Sequence, residues 1–178
     1  MDTAEILESA KIRLRALEPD DVDLLYSWEN DNSNWKVSNT LSPFSRYIIA
    51  KYLKTSHRDI YEAKELRLII VSKHDERPVG TIDLFDFDPF HNRAGIGILI
   101  ACEEDRKKGM ASETLKLIIR YVFKTLGLHQ LYCNISADNE ASLSLFRKFG
   151  FEISGLKKEW NKTETRWTDE YFLQLINN

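Results

Sequence analysis

The segment that most constrains this chain is Arg106-Lys107-Lys108-Gly109-Met110-Ala111. It comes soon after a strand-like run, Gly95-Ile96-Gly97-Ile98-Leu99-Ile100, and opens a helix whose apolar residues Leu115, Ile118, Val122 and Leu126 recur at helical spacing. A strand-to-helix turn that contains glycine exposes several backbone N–H groups, and together with the helix dipole these make a site for an anion. The three cations just before the helix strengthen that reading. Neither G-x-x-x-x-G-K-[ST] nor G-x-G-x-x-G occurs, so neither a P-loop nor a dinucleotide fold is indicated. Taken alone, the segment reads equally well as a solvated basic turn with a glycine at the helix start.

The flanking sequence places this turn late in an α/β order. Residues 11–16 alternate as a strand with Ile12 and Leu14 inward, and Pro19 opens a helix carrying Val22, Leu24, Leu25 and Trp28. Residues 30–34 form a polar break; a second helix, signalled by Ser42-Pro43, carries Phe44, Ile48, Ile49, Tyr52 and Leu53. Strands follow over residues 66–72, 79–87 and 93–101, then helix 109–126, strand 128–136, helix 139–149, strand 151–157 and a terminal strand 166–176 across a turn at 161–165. This order predicts a mixed α/β sheet with helices on both faces. With 178 residues and no linker rich in Pro, Gly or Ser, the expectation is one domain over residues 1–178.

Composition removes several classes of partner. A net charge of −3 and a pI near 5.9 speak against nucleic acid and suit a cationic substrate, although ordinary solubility explains the balance as well. The only cysteines, Cys102 and Cys133, are too far apart for a paired metal-ligand spacing, so no disulfide framework and no metal are expected. Residues 1–11 carry no apolar h-region and no stretch approaches a membrane span, so the expected location is cytoplasmic, away from membranes.

A second motif, Asn139-Glu140-Ala141-Ser142-Leu143-Ser144-Leu145-Phe146-Arg147-Lys148-Phe149-Gly150-Phe151, lies downstream of the first. Asn139 suits an N-cap, Gly150 a C′ glycine, and Ala141, Leu145 and Phe149 one packing face. Residues 106–111 match [QR]-x-x-G-x-[GA], and residues 139–151 match N-x-x-S-x-x-[LF]-[YF]-x-[KR]-x-G-F. In combination they resemble the GNAT superfamily of N-acetyltransferases, a likeness that extends over essentially the whole chain. The resemblance implies a mostly antiparallel sheet of about seven strands, splayed between the fourth and fifth. It implies acetyl-CoA as co-substrate, its diphosphate on the amides of Arg106, Lys107, Lys108, Gly109, Met110 and Ala111. Its pantetheine arm would lie along Gly97, Ile98 and Leu99, with Asn139, Ser142 and Phe146 beside it.

Within the superfamily the chain resembles the spermidine and the ribosomal-protein N-terminal acetyltransferases, and residues 83–94 look particularly like the polyamine branch. The resemblance implies acetyl transfer to a primary amine, of a polyamine or a protein N-terminus, without a covalent intermediate. The main chain near Leu99 would stabilise the oxyanion. Where the polyamine branch carries a tyrosine as proposed acid, this chain has Phe146. Tyr132, Ser142, Ser144 or a water are the substitutes, and Asp86, Asp88, His91 and Glu103 are candidate bases, each read otherwise as a solvated turn or strand-end residue. Strand alternation sets Asp83 opposite Asp86 and Asp88. A non-catalytic CoA-binding module is the alternative that Phe146 supports. Trp160 and Trp167 read as partly covered surface residues or, alternatively, as part of a homo-oligomer contact.

Overall fold

The structure, a computed structural model, describes residues 6–38, 40–163 and 165–178; residues 1–5, and Glu164 of the expected turn before the last strand, lie outside the described residues. Strand β1 (Ile12–Arg15) leads through a short 3-10 turn into helices α1 (Val22–Glu29), α2 (Asn32–Ser38), α3 (Arg46–Thr55) and α4 (Ile60–Ala63). Strands β2 (Leu66–Ser72), β3 (Pro78–Asp88) and β4 (Arg93–Ile100) form a meander. They are followed by α5 (Met110–Lys124), β5 (Gln130–Ser136), α6 (Glu140–Lys148), β6 (Glu152–Lys162) and β7 (Trp167–Ile176).

The strands make one 7-stranded sheet in the order β1-β2-β3-β4-β5-β7-β6. Only β4 and β5 run parallel, joined by the crossover through α5, and the other five neighbouring pairs are antiparallel. Strand β2 carries the continuous apolar run Leu68 to Val71 because it is covered on both sides there. Leu68 and Ile70 join the larger core beneath α5 and α6, while Ile69 and Val71 join a smaller core with Leu25 and Trp28 of α1 and Ile49 and Leu53 of α3. Helix α5 buries Leu115, Ile118 and Val122, as its spacing requires.

Helix α2 occupies part of the stretch expected as a polar break. Asp31 caps it by accepting the Ser33 N–H at 2.9 Å, a short-range bond that hydrophobic periodicity does not register. Helix α3 starts at Arg46 rather than at Ser42-Pro43, with the Ser45 hydroxyl accepting the Ile48 N–H. Helix α4, a single turn capped by Asp59, was not anticipated. Among the described residues, no helix is long and apolar enough to cross a membrane.

Arg67 on β2 joins the two layers. Its Nη1 lies 2.6 Å from Glu29 of α1 and its Nε 2.5 Å from Asp83 of β3, with the side chain 26% exposed. An Arg67→Met variant strips both carboxylates of their counter-charge. Breaking a fully buried pair costs about 3–5 kcal/mol, and partial exposure brings the expected loss nearer about 2 kcal/mol. Calorimetry should therefore show the melting temperature lower by about 4–8 °C, and an unchanged melting point would contradict this account.

Candidate active site

The parallel pairing of β4 and β5 runs only from Arg93↔Gln130 to Gly95↔Tyr132, after which the strands diverge. Residues 96–100 therefore present an edge with no strand opposite. At about 3.3 Å per residue, that edge is roughly 16 Å long from Gly95 to Ile100. Ala101 N–H donates to Val79 O at 2.9 Å, and strand residues alternate in the neighbour they face. Gly97 and Leu99 therefore turn their main chains to β3, and the N–H groups facing the opening belong to Ile98 and Ile100. Of the main chain near Leu99, it is therefore the Ile98 and Ile100 amides, and not that of Leu99 itself, that turn to the opening.

At the wide end of the opening, the chain passes from β4 to α5 through a 3-10 turn (Glu103–Asp105) and two left-handed residues, Lys107 at φ 62° and Gly109 at φ 85°. Among the described residues, none of the N–H groups of residues 107–112 has a protein acceptor; the first amide bond of α5 is Glu113 N–H to Gly109 O. These donors gather at the positive end of a 15-residue helix. A Cβ built on Gly109 would stand 3.4 Å from Lys11 Nζ, so a lysine from the start of β1 joins Lys107 and Lys108 at this turn.

Arg106 behaves differently from the two lysines. Its Nε donates to Ile100 O at 3.2 Å and its Nη2 to Asn34 Oδ1 at 3.2 Å, so the guanidinium secures the strand end and α2 instead of facing outward beside the amides. Lys108 leans 3.5 Å from Asp105, which is 1% exposed and held by both Nη atoms of Arg77. Sequence inspection singled out neither Asp105 nor Arg77 nor Lys11. No local pattern marks them, because their partners come from elsewhere in the chain.

The narrow end of the opening brings two candidates together: the Tyr132 hydroxyl donates to Asp86 at 3.1 Å. Burial and the Asp86 hydrogen bond push the Tyr132 phenol up to about 12. Tyr132 thus stands as a hydrogen-bond donor to Asp86, and the bond makes its phenol a weaker acid than an ordinary tyrosine. Phe85 packs edge-on to Tyr132 at 5.9 Å and Phe172 lies 5.5 Å away, giving this face aromatic walls. Gly95 is where it is because Phe85 needs the space: a Cβ there would fall 2.1 Å from the ring.

A β-bulge moves the acidic cluster. Pairing of β3 with β4 shifts between Phe85 and Asp88, Asp86 takes φ 48°, and Phe87 returns to the same core as Ile82 and Leu84. Simple alternation therefore fails, and Asp83 and Asp88 fall on one side of the strand. Asp88 is tied to His91 at 2.7 Å and Arg93 at 3.3 Å, with His91 hydrogen bonds holding its carboxyl down at about 2. Glu103 is exposed in its turn, away from the Tyr132 pair.

In the second motif, Asn139 accepts the Ser142 N–H at 3.2 Å and caps α6; Ser142 is half-buried and Ser144 exposed. Phe146 is 3% exposed, packed edge-on against Phe151 at 5.0 Å, while Phe149 is only half-buried and Ala141 is exposed. The packing face of α6 therefore centres on Phe146. Cys133 is 2% exposed and burial pushes its thiol up to about 12, which fits an inert side chain. In a Cys102→Ser variant at about pH 8, iodoacetamide should leave the native protein unlabelled and label it once unfolded; mass spectrometry reads the difference.

Comparison with known proteins matches this geometry. The family model described as an acetyltransferase (GNAT) domain matches residues 11–152. The chain is 28% identical over 144 residues to spermidine N(1)-acetyltransferase of Escherichia coli (strain K12), covering 81% of this chain and 74% of that protein. It is 27% identical over 173 residues to an uncharacterized N-acetyltransferase, p20, of Bacillus licheniformis, covering 97% and 96%. The crystal structure of spermidine N-acetyltransferase from Vibrio cholerae in complex with CoA and spermine superposes with a TM-score of 0.82 at 22% identity, over 94% of this chain and 96% of that one, a likeness of fold. The splayed seven-stranded sheet and the two matched motifs thus belong to one family: the chain is a GNAT acetyltransferase, an enzyme that takes its acetyl group from acetyl-CoA.

Proposed function

We propose that this enzyme acetylates a primary amine of a polyamine such as spermidine by direct attack on acetyl-CoA. The observation that carries the reading is the row of unbonded amides over residues 107–112, set at the mouth of an unpaired strand edge. The diphosphate of acetyl-CoA takes those donors, with Lys107 and Lys11 as counter-charge. Its pantetheine arm runs inward along β4, bonding to the Ile98 main chain as an added strand does. A strand edge of roughly 16 Å brings the thioester close to Asp86 and Tyr132.

The acceptor approaches over Phe85, Tyr132 and Phe172, its ammonium drawn to the Asp86 carboxylate. An amine of pKa near 10.4 costs about 4.6 kcal/mol to hold neutral at pH 7, so a carboxylate that accepts the proton has a large task. The freed nitrogen lone pair attacks the thioester carbonyl, forming the C–N bond. Ile98 N–H donates to the oxyanion, and collapse breaks the C–S bond. The nitrogen releases its second proton to solvent as the amide forms, and coenzyme A leaves as thiolate and takes a proton from solvent in turn, which compensates for the absence of a hydroxyl at Phe146. The spermidine acetyltransferase among the relatives, at 28% identity, supports a polyamine acceptor over a protein N-terminus.

Thiol release from acetyl-CoA should be followed with spermidine, shorter diamines and N-terminal peptides in parallel. Spermidine is expected to be the best acceptor, and faster acetylation of peptides would overturn the polyamine assignment. Phe146, buried where a hydroxyl was expected, favours one rival: a module that binds CoA without turning it over. That rival predicts thermal stabilisation by CoA, about 2.7 kcal/mol at 100 times the Kd, with no thiol release for any amine.

A further inference from the structure

The loop bearing the unbonded amides is pinned from below by an ion pair between a buried aspartate and a half-exposed arginine, outside both sequence motifs. Asp105 closes the 3-10 turn before Arg106 and is 1% exposed. Its Oδ1 accepts from Arg77 Nη2 at 2.8 Å and its Oδ2 from Arg77 Nη1 at 2.9 Å, a two-pronged bond in which both partners are charged. Arg77 stands at the end of the β2–β3 turn, where its carbonyl accepts the Ser72 N–H at 2.9 Å, so its backbone is part of the hairpin. Asp75 holds the guanidinium from the other side at 3.3 Å, and Lys108 Nζ adds a contact to Asp105 at 3.5 Å. Arg77 lowers the Asp105 carboxyl below its ordinary range, so the aspartate is ionised at neutral pH.

Two residues beyond Asp105, the chain takes the left-handed turn at Lys107, and then the one at Gly109. Left-handed backbone at a lysine is unfavourable and persists only where the surroundings impose it. Asp105 supplies the anchor on one side of that turn and α5 the anchor on the other.

We propose that Arg77 and Asp105 are positioning residues for acetyl-CoA: by tying the β4–α5 loop to the β2–β3 hairpin they fix the amides of residues 107–112 in the orientation that receives the diphosphate. The proposal rests on the diphosphate site described above. Neither side chain touches the reacting atoms. Asp105→Asn replaces a carboxylate oxygen with an NH2 group facing an Arg77 donor, which breaks the fork with little change in shape.

The test compares acetyl-CoA with S-acetylpantetheine, a thioester donor without nucleotide or diphosphate. Wild type should prefer acetyl-CoA strongly. Asp105→Asn should raise KM for acetyl-CoA about ten-fold or more while leaving kcat and the amine KM within about two-fold, the scale of a lost charge-assisted bond. Its kcat/KM with S-acetylpantetheine should stay at the wild-type value, and Asp105→Glu should recover part of the loss. A merely structural role would depress both donors equally, and that result, or no loss with either, would overturn the proposal. Should Asp105→Asn fail to fold, Arg77→Lys carries the same comparison on a side chain 42% exposed. If wild type itself uses both donors equally well, the diphosphate site is wrong and the positioning role falls with it.

Discussion

A Gly109→Val enzyme should bind coenzyme A about 10²–10⁴-fold more weakly than wild type while keeping its fold. Gly109 sits at φ 85° and ψ 0°, immediately before Met110 opens α5. An L-residue there costs roughly 1–2 kcal/mol, and a β-branched one is stiffer still. The chain relieves that strain by turning the flanking peptide units, and the N–H groups on either side lose their common aim. Two amide–phosphate bonds at about 1.5–3 kcal/mol each account for the expected range. Calorimetric titration with CoA reads the affinity, and circular dichroism checks that the helix remains. The strain alone should lower the melting temperature by only about 2–8 °C. A variant that binds CoA within about three-fold of wild type would remove the diphosphate from this turn.

Loss of the Asp86 carboxylate should be almost as damaging, but selectively. Asp86→Ala is expected to lower kcat/KM for spermidine by about 10²–10⁴-fold, the usual worth of a positioned proton acceptor. For an α-amine of pKa near 7.8, deprotonation at pH 7 costs only about 1.1 kcal/mol, so any activity on N-terminal peptides should suffer much less. The sign of the pH dependence follows. As pH rises toward about 10, solvent supplies neutral polyamine and the deficit of the variant should shrink. Tyr132→Phe removes only the hydrogen bond to Asp86 at 3.1 Å, so about a five-fold loss is expected. If Tyr132→Phe proves as damaging as Asp86→Ala, and the deficit does not vary with pH, the tyrosine rather than the carboxylate governs the reaction.

Where periodicity carries the information, the elements were legible. Strand β2 coincides with residues 66–72, and α5 follows the spacing of Leu115, Ile118 and Val122, because burial itself writes those patterns. Helix α2 was illegible, since Asn32, Ser33 and Asn34 favour loops and the helix forms through the Asp31 cap and its setting in the fold. The glycine turn at α5 was visible in six residues. Its anchorage was not: Arg77 and Asp105 lie 28 positions apart and meet only once the hairpin has formed. The direction of the Ile98 amide depends on the pairing of β3 with β4, and the left-handed turn at Asp86 on a bulge that no motif announces. Phe146 could be recognised as a departure from the family, but its place at the centre of the α6 packing face could not.

The brief parallel contact between β4 and β5 makes the sheet mechanically uneven. Among the described residues, β4 and β5 pair at three positions, extended by the Asn92 carbonyl accepting from the His129 and Gln130 N–H groups, against seven pairs between β5 and β7. What unites the blocks is the apolar underside they share: Leu115, Ile118 and Phe146 share one cluster with Ile82 and Ile96 from one block and Leu131 and Leu173 from the other. The seam is stitched by grease rather than by ladder rungs, so its strength fades on cooling, as apolar association does. A thioester arm bonded along the gap would act as a suture, and donor occupancy and the cohesion of the two plates would rise and fall together.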